Sequence, residues 1–206
     1  KDASPDQLKE IAIKYIMANP DSITSIYLLK KYLINVDSPD IDQIQKAVGA
    51  IAEAQPLLAS IKNLSDDIQA YSNLGKGKKA PDFNVTDYQG KKHQLSDYKD
   101  KQLIIMFGAS WAEVYREEIR NIKSDVEGMQ EKPEILNVVL DLTRPLFRTI
   151  LRDSIPGANI SELRGWESDI VKSYQIKKLP TYFLIDKNQQ IVAREDSWNN
   201  IKEKIK

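Results

Sequence analysis

Leu103-Ile-Ile-Met-Phe-Gly-Ala-Ser-Trp-Ala-Glu-Val-Tyr-Arg-Glu-Glu-Ile119 is the stretch on which the reading of the fold turns. The apolar run Leu103 to Phe107 reads as a strand buried on both faces, and Gly108 turns the chain into a polar, amphipathic segment that reads as a helix. A strand that delivers a helix N-terminus to the end of a sheet is where α/β folds place their chemistry. That terminus offers unpaired N–H groups and a partial positive charge to an anion or a thiolate.

Within this stretch, Phe107-Gly-Ala-Ser-Trp111 followed by Arg116-Glu-Glu-Ile119 resembles the active-site segment of the TlpA/ResA-like thiol-disulfide oxidoreductases, a bacterial cell-envelope branch of the thioredoxin superfamily. Further matches arrive in that family's order. Gly77-Lys-Lys-Ala-Pro-Asp-Phe83 resembles the opening segment shared with peroxiredoxins of the AhpC/TSA type, and Tyr88-Gln-Gly-Lys-Lys-His-Gln-Leu-Ser-Asp-Tyr98 the hairpin after it. Gly165-Trp166, Val171, Tyr174 and Leu179-Pro180-Thr181 through Asp186 resemble the family's cis-proline loop and the strand that follows. The likeness covers a little over half of the chain, from about Gly77 onward.

In the family the tryptophan precedes Cys-x-x-Cys; here the four positions are Ala112, Glu113, Val114 and Tyr115. Dithiol chemistry needs a sulfur of lowered pKa at the helix N-terminus and a second sulfur to resolve the mixed disulfide. Ala112 has no heteroatom, and a tyrosine hydroxyl, with a pKa near ~10, cannot exchange disulfides. The chain has no cysteine at all, which excludes both thiol redox and peroxidatic chemistry in these residues. A bulky tyrosine at the second position reads as a natural degenerate site.

With 206 residues and 41% hydrophobic content the chain can bury a large core. Lys plus Arg and Asp plus Glu both number 30, so no net field recruits nucleic acid, and the short lysine clusters read as solvated faces. No apolar run is long enough to span a bilayer, and the residues after Lys1 lack the regions of a signal peptide. The family resemblance implies an exported, periplasmic or envelope protein whose signal has been removed and whose anchor, if any, lies upstream.

Prolines punctuate residues 1–74 into four expected helices. Ser4-Pro5-Asp6-Gln7 forms a capping box ahead of Leu8, Ile11, Tyr15 and Ile16. Asn19-Pro20-Asp21-Ser22 precedes a stripe of Ile23, Ile26, Tyr27 and Leu33; Ser38-Pro39 precedes Ile41, Ile44, Val48 and Ile51; Pro56 precedes Leu57, Ile61, Leu64 and Ile68. Stripes at this spacing read as the core of a small all-α domain. Residues 75–80, rich in glycine and lysine, read as a linker. Residues 81–206 read as a thioredoxin-like α/β sandwich with an N-terminal β-hairpin, Phe83 to Thr86 and Lys91 to Leu95. A strand from Glu134 to Leu140, helices from Pro145 and Ser168, and a closing antiparallel pair at Thr181 to Asp186 and Gln190 to Arg194 complete it.

The remaining polar residues near the site read blandly. Ser110 and Glu113 form an apparent capping box, Glu118 reads as a solvated or ion-paired helix residue, and His93, the single histidine, as an exposed strand residue without partners for a metal. Trp111 reads equally as a packing residue and as the flank of a substrate groove, the position that its family counterpart holds. No cofactor and no metal are expected. The expected function is the binding of a peptide or protein partner, with Trp111 and Tyr115 as one wall of a groove and Leu179, Pro180 and Thr181 as the other. The alternative is an enzyme that uses non-thiol groups at Ser110, Glu113 and Tyr115.

Overall fold

The computed structural model describes residues 4–34, 40–152 and 155–205, and the chain divides into two compact units, Lys1–Asn73 and Leu74–Lys206. The first unit is helical. Its helices are α1 (Pro5–Ala18), α2 (Ile23–Leu29), α3 (Ile41–Ala54) and α4 (Ala59–Ser72). The Ser4 capping box forms as expected: Gln7 N–H donates to Ser4 Oγ at 3.3 Å and Ser4 N–H to Gln7 Oε1 at 2.9 Å. The proposed start of α3 at Ser38-Pro39 lies outside the described residues; Asp40 caps that helix through Gln43 N–H at 3.0 Å.

The unit's core is Ala12, Ile16, Leu29, Leu33, Ile44, Ala47, Val48, Ile51, Ile61 and Ile68. Three expected stripes are partly out of phase with it. Ile11, Ile23, Tyr27 and Leu57 are exposed, whereas Ala12 and Leu29 are buried. In α2 the cause is visible, because the helix widens into a π-helical turn at Lys30–Ile34 and rotates its apolar face relative to a 3.6-residue count. Leu57 precedes the helix that its proline was expected to open, since α4 begins only at Ala59.

The second unit holds a five-stranded sheet in the order β5-β4-β3-β6-β7. Strands β3 (Leu103–Gly108), β4 (Glu134–Val139) and β5 (Ala158–Ile160) are parallel, β6 (Thr181–Ile185) runs antiparallel to β3, and β7 (Ile191–Glu195) runs antiparallel to β6. A separate hairpin, β1 (Asn84–Thr86) with β2 (Lys92–Gln94), precedes it. The buried run Leu103 to Phe107 is the central strand. Its alternate residues feed two cores.

Ile104 and Met106 face α5 (Glu113–Glu127), α6 (Arg144–Leu151) and α8 (Trp198–Lys202). Leu103, Ile105 and Phe107 face α7 (Asp169–Ser173), Tyr174 and the hairpin residues Val85 and Leu95. Helices on one face, with a short helix and a hairpin on the other, make the expected thioredoxin-like sandwich. Each fully buried Leu, Ile or Phe contributes on the order of 1.5–3 kcal/mol by leaving water.

Residues 75–80, the expected linker, hydrogen-bond along the edge of the second unit's sheet. Gly77 N–H donates to Ile191 O at 2.7 Å, Ile191 N–H donates to Lys78 O at 2.8 Å, and Lys79 bridges Gln190. Leu74, just before the segment, and Ala80, its last residue, are buried in the core below. The segment extends the sheet edge beyond β7, a pairing that glycine and lysine composition does not reveal.

Candidate functional site

The end of β3 sets the geometry. Beyond Gly108 the chain forms a loop through Ala109, Ser110 and Trp111 and enters α5, whose N-cap is Ala112 with no side-chain cap bond. The expected capping box between Ser110 and Glu113 is absent. Ser110 donates its N–H at 3.0 Å and its hydroxyl at 2.9 Å to Asp141 Oδ1, at the C-terminal end of β4. A charge-assisted bond of this kind is roughly twice as strong as a neutral one, so the carboxylate outcompetes the helix terminus for the serine. Glu113 is left exposed in the first turn.

Tyr115 is a core residue and not a groove wall. Its ring is fully buried under the sheet, and its hydroxyl donates to Asn137 Oδ1 in β4. Asn137 Nδ2 in turn donates to Asn159 Oδ1 at 2.8 Å, and Asn159 Nδ2 points to the backbone oxygens of Ile155 and Gly157 at 3.5 and 3.4 Å. Burial pushes the phenol far above its ordinary pKa, with the Asp141 charge adding to the shift and the Asn137 bond opposing it. The ring lies across Gly108, where a Cβ would sit 2.3 Å from three ring atoms. One side chain fills the space behind the degenerate pair.

The surface in front of it is apolar. Trp111 is 58% exposed, Val114 is exposed beside it, and Leu142, next to Asp141, is 65% exposed. Gly165 lies against Leu142, where an added Cβ would sit 2.9 Å from Leu142 Cδ2, and this brings the exposed Trp166 to the same end of the sheet. Thr181 pairs with Phe107 in the register of β3 and β6, so the Leu179-Pro180 loop ends beside the Gly108 turn. The Leu179–Pro180 bond is cis. Pro180 and Thr181 are buried, Thr181 Oγ1 donates to Lys178 O at 2.8 Å, and Leu179 is half-buried. Among the described residues nothing hydrogen-bonds to the Leu179 N–H or C=O.

Two other expectations change. Glu118 is half-buried and, among the described residues, hydrogen-bonded without an ion pair: Oε2 accepts from the Tyr182 hydroxyl, and Oε1 accepts from Trp198 N–H at 3.1 Å, tying α5 to β6 and to the start of α8. His93 is buried. Its Nε2 is 2.9 Å from Asp87 Oδ2, to which it donates because a carboxylate only accepts, and its Nδ1 is 2.8 Å from the Tyr98 hydroxyl. Burial first, then the charges of Glu134, Asp97 and Asp87, push the Tyr98 phenol up to about 12. Among the described residues no three acidic or histidine side chains converge as a metal site.

Asp141, Asn137 and Asn159 escaped the sequence reading. Asn137 is the one polar residue of the run Ile135 to Leu140, a signal that a buried partner exists without saying which.

Comparison with known proteins places these features. The sequence profile of the AhpC/TSA family matches residues 76–194. The thiol-disulfide oxidoreductase ResA of Bacillus thuringiensis subsp. konkukian is 32% identical over 117 residues, which are 56% of this chain and 66% of that protein. The match thus spans just under two thirds of that relative's length. A thiol-disulfide oxidoreductase structure from Bacteroides fragilis superposes with a TM-score of 0.53 at 26% identity and covers 62% of this chain and 100% of that one. A thioredoxin-like protein from Bacteroides caccae superposes with a TM-score of 0.76 at 18% identity, over 97% of this chain and 76% of that one, a likeness of fold.

Proposed function

Because the chain belongs to the AhpC/TSA family, as a TlpA/ResA-like member of the thioredoxin superfamily, we propose that it is a redox-inactive member that binds an extended peptide or protein partner in the bacterial cell envelope. The observation that carries this reading is the unpaired Leu179 backbone beside an exposed apolar surface of Trp111, Leu142 and Trp166. Free N–H and C=O groups at a sheet end accept an extended chain by strand addition, and apolar side chains around them supply the contact area. Trp111, which does not pack, serves as the flank of that groove. Pro180 and Thr181 shape its floor from beneath.

The envelope setting rests on the family alone. The alternative, an enzyme acting through Ser110, Glu113 and Tyr115, loses support from the geometry: Ser110 is engaged by Asp141 and Tyr115 is sealed in the core. Only Glu113 of the three faces solvent.

The test uses a panel of extended peptides with apolar side chains and reads amide chemical shifts across the chain. Perturbation centred on Trp111, Leu142 and Leu179, with affinity lowered about tenfold or more in Trp111→Ala, is expected. Peptide shifts confined to other surfaces, or disulfide-substrate turnover above the reductant-only rate, would contradict the proposal.

A further inference from the structure

A cleft of about 380 Å³ opens between α6, the turn joining β1 to β2, and the residues after β5. Its size falls in the roughly 300–1,000 Å³ range of small-molecule sites. It shares no lining residue with the peptide groove, and its chemistry differs.

Arg144 and Arg148 stand one turn apart on the same face of α6 and both border the cleft. Both are exposed, and among the described residues neither has an acidic partner. The acid that borders the same space, Asp87, is already committed. Its Oδ1 accepts from Gln89 N–H and Lys91 N–H, each at 2.9 Å, and its Oδ2 from His93 Nε2 at 2.9 Å, so it does not neutralise the arginines. Phe147 and Leu151 lie beside them on the same face of α6, and the exposed Tyr88 ring and Leu163 border the cleft from outside that helix. The cleft therefore joins two guanidinium groups, which no acid among the described residues neutralises, to apolar side chains.

We propose that this cleft binds a small oxyanion, a carboxylate or a phosphate monoester, carried on an aromatic or branched apolar body. The guanidinium forks of Arg144 and Arg148 match such an anion with paired N–H donors, and Tyr88 and Leu163 hold the body. Like charges one helical turn apart repel each other, so an anion between them also offsets that repulsion.

The experiment is a chemical-shift titration of the whole chain with phenyl phosphate, phenylacetate and benzyl alcohol. Saturable shifts at Tyr88, Leu151 and Leu163 are expected with at least one anion; the tighter of the two identifies the natural group as phosphate or carboxylate. Arg148→Gln is expected to weaken that binding about tenfold, and Arg144→Gln with Arg148→Gln to abolish it. The thermal midpoint of the probe-free double variant should equal or exceed the parent's, which a purely structural role for the arginines would not give. Equal shifts with the neutral alcohol, retained affinity in the double variant, or no shifts in the cleft with either anion would each overturn the proposal.

Discussion

Removing only the Tyr115 hydroxyl, by Tyr115→Phe, leaves Asn137 Oδ1 without its donor inside a fully buried setting. A buried acceptor that loses its partner costs about 1–3 kcal/mol, and that is the expected fall in unfolding free energy by urea titration. Gly108→Ala is expected to cost more, because the added Cβ meets the ring at 2.3 Å and the ring is closed in by the core around it. A Tyr115→Phe variant as stable as the parent would show that the hydroxyl contributes nothing net. The sequence makes the loss of dithiol chemistry legible, since it depends on atoms that positions 112 and 115 lack. It does not make the burial of Tyr115 legible, because that depends on Asn137, 22 residues away, whose position beneath α5 follows from strand register and not from local pattern. Ser110 misleads for the same reason: its spacing to Glu113 satisfies a local rule, and a carboxylate just past the end of β4 wins the bond.

At the level of elements, the hairpin is anchored by a polar cluster, Asp87, His93 and Tyr98, that the alternation of its strands does not announce. Burial alone raises the Asp87 carboxyl, but the His93 ring and the N–H groups of Lys91 and Gln89 outweigh it and hold the carboxyl below its ordinary value. A folded pKa lowered below the unfolded value of ~3.9 gives stability that is present above that value and is lost as pH falls through the folded one. Asp87→Asn should therefore be less stable than the parent at neutral pH, by about 1–3 kcal/mol, and the gap should close on acidification below about pH 4. Thermal midpoints of both proteins across that range decide the matter, and a gap that stays constant with pH would rule the linkage out. Asp125 and Asp196, whose carboxyls are also held low by Lys202 and Lys178, will keep some acid sensitivity in the variant. Long apolar runs made β3, β4 and β6 readable. Three-residue β5 and five-residue α8 carry too few apolar positions to show a period, and they exist because tertiary contacts hold them, as Trp198 does by donating its indole N–H to Asp125 at 2.8 Å.

For the whole molecule, the place where the chain can be cut tests how its two compact units are built. Composition puts a linker at residues 75–80 and starts the second domain at 81, yet Leu74 and Ala80 are buried in the second unit's core and Gly77, Lys78 and Lys79 pair along its edge. Nothing local distinguishes such an edge strand from a tether, because its bonding partners, Gln190 and Ile191, lie more than a hundred residues later. We propose that the second unit folds by itself and that its boundary precedes Leu74. Burying Leu74 contributes on the order of 1.5–3 kcal/mol, and each backbone bond to Ile191 about 0.5–1.5 kcal/mol, set against the backbone entropy of ordering the segment at about 1–2 kcal/mol per residue. These opposing terms are of similar size, so the difference between fragments should be modest and favour the longer one. A fragment of residues 74–206 is expected to unfold cooperatively at a higher urea midpoint than one of residues 81–206, and to protect the Gly77 and Ile191 amides from exchange. Equal midpoints, with the Ile191 amide exchanging freely in both, would return residues 75–80 to the role of a tether.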